Sequence, residues 1–182
     1  SRERDQVVAV LTRAVRALIA DAPTSPYGIV GAGVGVPGIV DDKGTVLFAP
    51  NLEWEDVDLQ GMLQDEFGFP FVVDNEANAG ALGELHYGAG REAADIVYLS
   101  VSTGIGAGIV IDKQLMKGAS GFSGEIGHTT IETNGRKCRC GNKGCWEQYA
   151  SERAILEMAK PLGVERFSRL LELAQQESPD AL

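Results

Sequence analysis

Basic charge is scarce in this chain: 16 Lys and Arg face 26 Asp and Glu across 182 residues, a formal net charge of −10. A phosphate backbone is gripped by a basic face, so this segment by itself is not expected to bind DNA. Apolar runs of the ~20 residues that a membrane helix needs are missing, which leaves no candidate span. Neither the ordered regions of a secretory leader nor a Walker-type lysine loop can be found. Histidine is held to two residues and cysteine to three. An odd number of thiols suits a secreted disulfide framework poorly, and reduced cysteines point to the cytoplasm. There is no internal repeat and no low-complexity tract.

Those few thiols are concentrated. His128 is followed at plus ten, plus twelve and plus seventeen by Cys138, Cys140 and Cys145, a full tetrahedral set for zinc within one Gly-rich segment. Four protein ligands leave no position for water, so the expected role is to staple a loop. Gly141 and Gly144 suit the tight turns that gather thiolates, and Arg136, Lys137, Arg139 and Lys143 are placed to offset their charge. A disulfide plus one spare thiol, or three buried apolar cysteines, are the alternatives.

The remaining chain reads as alternating helices and strands, an α/β pattern. Val7, Val8, Leu11, Val15, Leu18 and Ile19 recur at helical spacing between Asp5 and Ala20, with Arg13 and Arg16 opposite. Residues 29–36 read as a buried Gly-rich strand, either approaching something closely or packing small residues on a helix. Residues 41–44 read as a turn and 45–48 as a short strand. Ala49 to Trp54 reads as a loop in which Asn51 could simply form the turn. Asp58 caps a helix reaching about Phe67, and residues 70–73 form a strand ending at Asp74. The run Asp74-Asn75-Glu76 therefore lies where an α/β sheet presents ligand groups, though a helix cap would use the same residues.

After that helix, Gly88-Ala-Gly90 reads as a hinge and residues 95–101 as a buried strand. Residues 102–108 turn into another strand, 109–111, with a hairpin turn at Asp112-Lys113. Such a Gly-rich loop either cradles phosphate or is a plain hairpin. Trp146 to Lys160 reads as an interrupted helix and Phe167 to Ala174 as a second one, with Glu165, Glu172 and Glu177 as solvated side chains. Glu125 and Glu147 flank the cysteine loop and could pair with Arg136 or Arg139 instead of a ligand.

Glu125-Ile-Gly-His128, Cys138-Arg-Cys140-Gly-Asn-Lys-Gly-Cys145-Trp-Glu147 and the upstream Gly104-Ile-Gly106-Ala-Gly108 occur together and in order. In this the chain resembles the ROK family of repressors, open reading frames and kinases, from about Ile29 to Ser151. The resemblance implies an actin/hexokinase-like (ribonuclease H-like) two-lobe α/β fold, here incomplete at both ends. The first lobe would be residues 1–90 and the second, with the zinc loop, residues 91–182. It further implies sugar contacts from Asn51, Asn75, Glu76, Glu125, His128 and Glu147, and a nucleotide phosphate loop at Thr103, Gly104 and Gly106. In the family's kinases the position of Glu76 is typically an Asp acting as general base on the sugar hydroxyl. An added methylene moves the carboxylate by about 1 Å, a displacement that can cost around a hundredfold in rate.

Glu76 therefore resembles the repressor branch. The expected function is a sugar-sensing effector domain that binds a monosaccharide beside a structural zinc, as a homodimer. DNA would be reached only through a helix-turn-helix that this chain lacks. The alternative is a fragment of an ATP- and Mg2+-dependent, glucokinase-like sugar kinase in which Glu76 is catalytic. Both the Asp-Gly-Gly-type phosphate turn and the closing Gly-rich region of that fold are absent, so the chain reads as the middle of a longer protein. By itself it is expected neither to phosphorylate a sugar nor to bind an operator.

Overall fold

The computed structural model describes residues 2–176, so Glu177 lies outside the described residues. Helix α1 (Arg2–Asp21) buries one stripe, Val8, Leu11, Val15 and Ile19, against the first apolar core. Leu18 was expected on that stripe but is 70% exposed. Arg16 pairs with Glu66 across the helix that follows the β-hairpin region.

Strands β1 (Ala32–Val36) and β5 (Phe71–Asn75) pair in parallel, Val36 opposite Asn75. The expected full burial of the 29–36 run is not seen: Val36 is buried, whereas Gly31, Gly33 and Gly35 are exposed. Period-two alternation hides one face only, and an apolar-plus-glycine run cannot show which. Between these strands lies an antiparallel sheet, β2 (Ile39–Val40), β3 (Val46–Ala49) and β4 (Trp54–Val57). Its first turn is built by Asp41, whose Oδ1 accepts from the amides of Lys43 at 2.9 Å and Thr45 at 2.8 Å. Trp54 was expected in a loop; it opens β4 and is 3% exposed, because the indole fills the core beside Val57 and Leu59.

Helix α2 (Leu59–Phe67) starts at the Asp58 cap, whose carboxylate accepts from the Gly61 amide, and stops at Gly68 in left-handed conformation. Its Gln60 and Gln64 side-chain oxygens accept from the Val73 and Phe71 amides, each at 3.2 Å. Two amides on the edge of β5 are thereby satisfied, and the strand runs one residue past its expected end at Asp74.

Helix α3 (Glu76–Tyr87) follows with no intervening loop. It packs on a second antiparallel sheet, β6 (Ile96–Val101), β7 (Ile105–Ile111) and β8 (Gln114–Leu115). Contact is close because Gly80 lies under the Tyr98 ring and Gly108 against the Ala77 carbonyl and the Ala81 methyl. Strand β6 was expected to be buried, yet Val97, Leu99 and Val101 are 69%, 45% and 52% exposed, since α3 covers only the opposite face. The turn before β7 is three residues, Ser102 to Gly104, so Gly106 sits inside the strand opposite Ser100 and not in a loop. The interrupted helix appears as α4 (Glu147–Ala150) and α5 (Glu152–Ala159), broken at buried Ser151, whose hydroxyl accepts from the Ala154 amide. Helix α6 (Phe167–Gln175) ends the described chain.

Candidate metal centre and ligand cleft

The loop from Thr129 to Trp146 is closed on itself. Cys145 bridges Thr130, Lys143 bridges Lys137, and the Cys138 amide donates to the Asn142 carbonyl at 2.8 Å. Gly144, with φ of +75°, lies so close to the Glu132 carbonyl that no side chain fits. This folding brings one ligand atom each from His128, Cys138, Cys140 and Cys145 within 4.8 Å of one another.

The spacing tests the fit to a tetrahedral ion. Metal–sulfur and metal–nitrogen bonds of about 2.3 and 2.0–2.1 Å imply tetrahedron edges of roughly 3.8 Å between sulfurs and 3.5 Å from sulfur to nitrogen. Cys140 Sγ is 3.7 Å from Cys145 Sγ, and Cys138 Sγ is 3.6 Å from His128 Nδ1. All three cysteines are free, which removes the disulfide alternative. Burial pushes the Cys145 thiol up to about 12, and the adjoining Cys140 and Cys138 thiols add to the shift. A cation at the centre would displace those protons, so metal and deprotonation are linked.

Of the four basic residues expected to offset the thiolates, Arg136 and Arg139 turn their side chains to other partners. Arg136 donates to the Gln148 carbonyl at 2.9 Å and lies 4.9 Å over the Tyr149 ring. Arg139 reaches across to Asn51, donating to its Oδ1 at 3.2 Å. Neither forms the ion pair with Glu125 or Glu147 that stood as their alternative role. Glu147 meets Arg153 at 3.6 Å and accepts from the Ile105 amide at 3.1 Å, while Glu125 Oε2 is 3.7 Å from His128 Nε2.

With Nδ1 facing the thiols, His128 turns Nε2 toward a cleft of about 690 Å3, a volume within the range of small-molecule sites. Asn51, Asn75, Glu76, Thr103, Gly104, Gly106, Glu125, His128 and Glu147 all line it. Asn75 is also the cap of α3: its Oδ1 accepts from the Ala77 and Asn78 amides, and its Nδ2 donates to the Gly38 carbonyl at 2.9 Å. The cap and the cleft wall are thus one residue. Behind it Asp74 accepts from the Asn78 amide group and pairs with Lys117 at 2.8 Å, tying the end of β5 to the segment after β8.

Three carboxylates share this space. Burial pushes the Glu125 carboxyl up, with Glu147 adding to the shift and His128 opposing it. The cleft walls raise Glu76 as well, a bond from its own backbone amide opposes them, and Glu125 adds to the rise. Glu76 nevertheless keeps more than a third of its surface accessible, because the cleft is open on its side. Arg153 and the aromatic Phe122 and Phe48 also line the cleft and were not singled out from sequence. The only hint for Arg153 was its place six residues past Glu147, after a helix break that the spacing left unplaced.

The ROK family pattern matches residues 1–181. The chain belongs to the ROK family. Among ROK relatives, the xylose repressor of Bacillus subtilis is 49% identical over 148 residues, 81% of this chain and 38% of the repressor. The glucokinase of Streptomyces coelicolor is 41% identical over 135 residues, 74% of this chain and 43% of that enzyme. The crystal structure of a ROK family glucokinase from Streptomyces griseus, in complex with glucose and AMPPNP, superposes with a TM-score of 0.87 at 35% identity. That match covers 97% of this chain and 62% of the glucokinase. The fold is therefore the actin/hexokinase-like α/β fold of ROK proteins, and this chain spans about two-fifths of the length of its curated relatives.

Proposed function

We propose that this chain is the sugar-sensing part of a ROK transcriptional repressor, holding a monosaccharide in the cleft beside a structural zinc. The convergence of Asn51, Asn75, Glu76, Glu125, His128 and Glu147 around one cavity that abuts the cysteine cluster carries the reading. Sugar hydroxyls donate to carboxylates and accept from amide N–H groups, and the cleft supplies both. Zinc would be held by His128 Nδ1 and the three Sγ atoms, and with four protein ligands it contributes order to the loop and no open coordination site. His128 Nε2 then faces the ligand in a fixed ring orientation. In this reading the lobes divide near residue 90, ligand draws them together, and attached DNA-binding heads respond to that closure as a homodimer.

Two observations favour a sensor over an enzyme. Identity is higher to the xylose repressor than to the glucokinase, 49% against 41%, and Glu76 is one methylene longer than the Asp that the family resemblance implies for the kinases. The kinase reading is favoured by the close superposition on a glucokinase bound to glucose and AMPPNP, with the Thr103–Gly104 turn as its phosphate loop and Glu76 as its base. A coupled assay of the full protein with ATP, Mg2+ and either D-glucose or D-xylose separates them. The sensor reading expects no turnover above the buffer rate together with sugar-dependent release from DNA; phosphorylation at tens per second overturns it.

A further inference from the structure

Besides His128, one side-chain amide joins the metal cluster to the cleft. Gln148 Nε2 lies 3.4 Å from Cys138 Sγ and 3.5 Å from Glu147 Oε1. Both partners are acceptors when ionised, so the amide must present its nitrogen to them; a flipped amide would set its oxygen against a thiolate and a carboxylate. Its two N–H groups are enough to serve both at once.

The surroundings hold this bridge in place. The Gln148 carbonyl accepts from Arg136 Nη1, and the Tyr149 hydroxyl accepts from the Arg136 amide at 2.8 Å, so the residues beside Gln148 are laced to the cysteine loop. On the other side, Glu147 is fixed through the Ile105 amide and Arg153. Resting on the zinc-braced sugar site proposed above, we infer that Gln148 is the positioning residue that couples the metal to the ligand carboxylate. It stabilises the Cys138 thiolate while orienting Glu147 toward the cleft. Donors of this kind outside the metal's own ligands commonly contribute tenfold to a hundredfold in affinity. Coupling between two sites is reciprocal, so metal occupancy and ligand binding strengthen each other by the same factor.

The test is a mutant cycle on the full protein, read by chelator competition for Zn2+ and by the thiolate-to-metal absorption band of the Co2+-loaded form. Gln148→Met keeps the shape and removes the donors; it is expected to weaken Zn2+ at least tenfold and to move the Co2+ band to lower energy. Gln148→Glu, an acceptor at the same place, is expected to weaken Zn2+ further. Glu147→Gln should change Zn2+ affinity at least threefold with Gln148 present and not at all in the Gln148→Met background. Circular dichroism of each loaded variant verifies that the fold persists. Zn2+ affinity within twofold of the parent in Gln148→Met with an unmoved band, or effects of the two substitutions that simply multiply, overturns the inference. A parent protein that takes up neither ion overturns the zinc reading beneath it, a distinct result.

Discussion

At the scale of single residues, the cleft is a set of carboxylates held under tension with their surroundings. Glu76 has its acidity weakened by the cleft walls and by Glu125, so its folded pKa stands above the usual value. For a carboxyl raised in this way, stability is fully present below the unfolded pKa and is lost as pH climbs through the folded one. Glu76→Gln is therefore expected to raise Tm at pH 7. The gain over the parent should shrink toward zero as pH falls below about 4.5, and melting curves across that range check it. The same substitution should weaken sugar binding at pH 7, because an amide oxygen is a poorer acceptor than a carboxylate. A site residue that costs stability when ionised and binds better for it is a common compromise. The chemistry of these residues was legible because it lies in short motifs: His128 with its three cysteines, and Asn75-Glu76 at a strand end. Their partners were not, since Arg139 meets Asn51 across 88 positions of sequence and Arg153 reaches Glu147 around a helix break.

Among elements, the cysteine loop and α3 do most of the positioning. If zinc stands at about a thousandfold its dissociation constant, it stabilises the fold by about 4 kcal/mol. Chelation is then expected to lower Tm by about 10 °C for a chain of this size. Limited proteolysis should open first in the 136–145 loop, because three of the four proposed zinc ligands lie within it. Loss of zinc with no change in Tm or cleavage would contradict the stapling role. The seat of α3 is equally exacting: a methyl at Gly108 would strike the Ala77 carbonyl and the Ala81 side chain. Gly108→Ala is expected to cost about 2 kcal/mol by chemical denaturation, whereas alanine at Gly83, where nothing lies within 4 Å, should not destabilise. The start of α2 was readable from the sequence because Asp58 signals it locally through its own side chain. Strand faces were not, as β1 and β6 show, because burial of one face depends on α1 and α3 arriving from elsewhere in the chain. Trp54 was misplaced for the same reason: the hydrophobic core that takes it is assembled from six other elements.

At the scale of the whole chain, residues from β2, β3, β5, β6, β7 and the cysteine loop line one cleft, and Lys117 with Asp74 ties the end of β5 to the segment after β8. A net charge of −10 makes DNA contact by this part electrostatically unfavourable. No helix among the described residues is long and apolar enough to cross a membrane. The measurement that tests the account most directly is a calorimetric titration of D-xylose and of D-glucose into the zinc-loaded full protein and into its Glu147→Gln variant. The account predicts a saturable one-site isotherm for at least one of these sugars in the parent, weakened at least tenfold or abolished in the variant. Two parent titrations without saturable heat, or an isotherm that Glu147→Gln leaves unchanged, would contradict it.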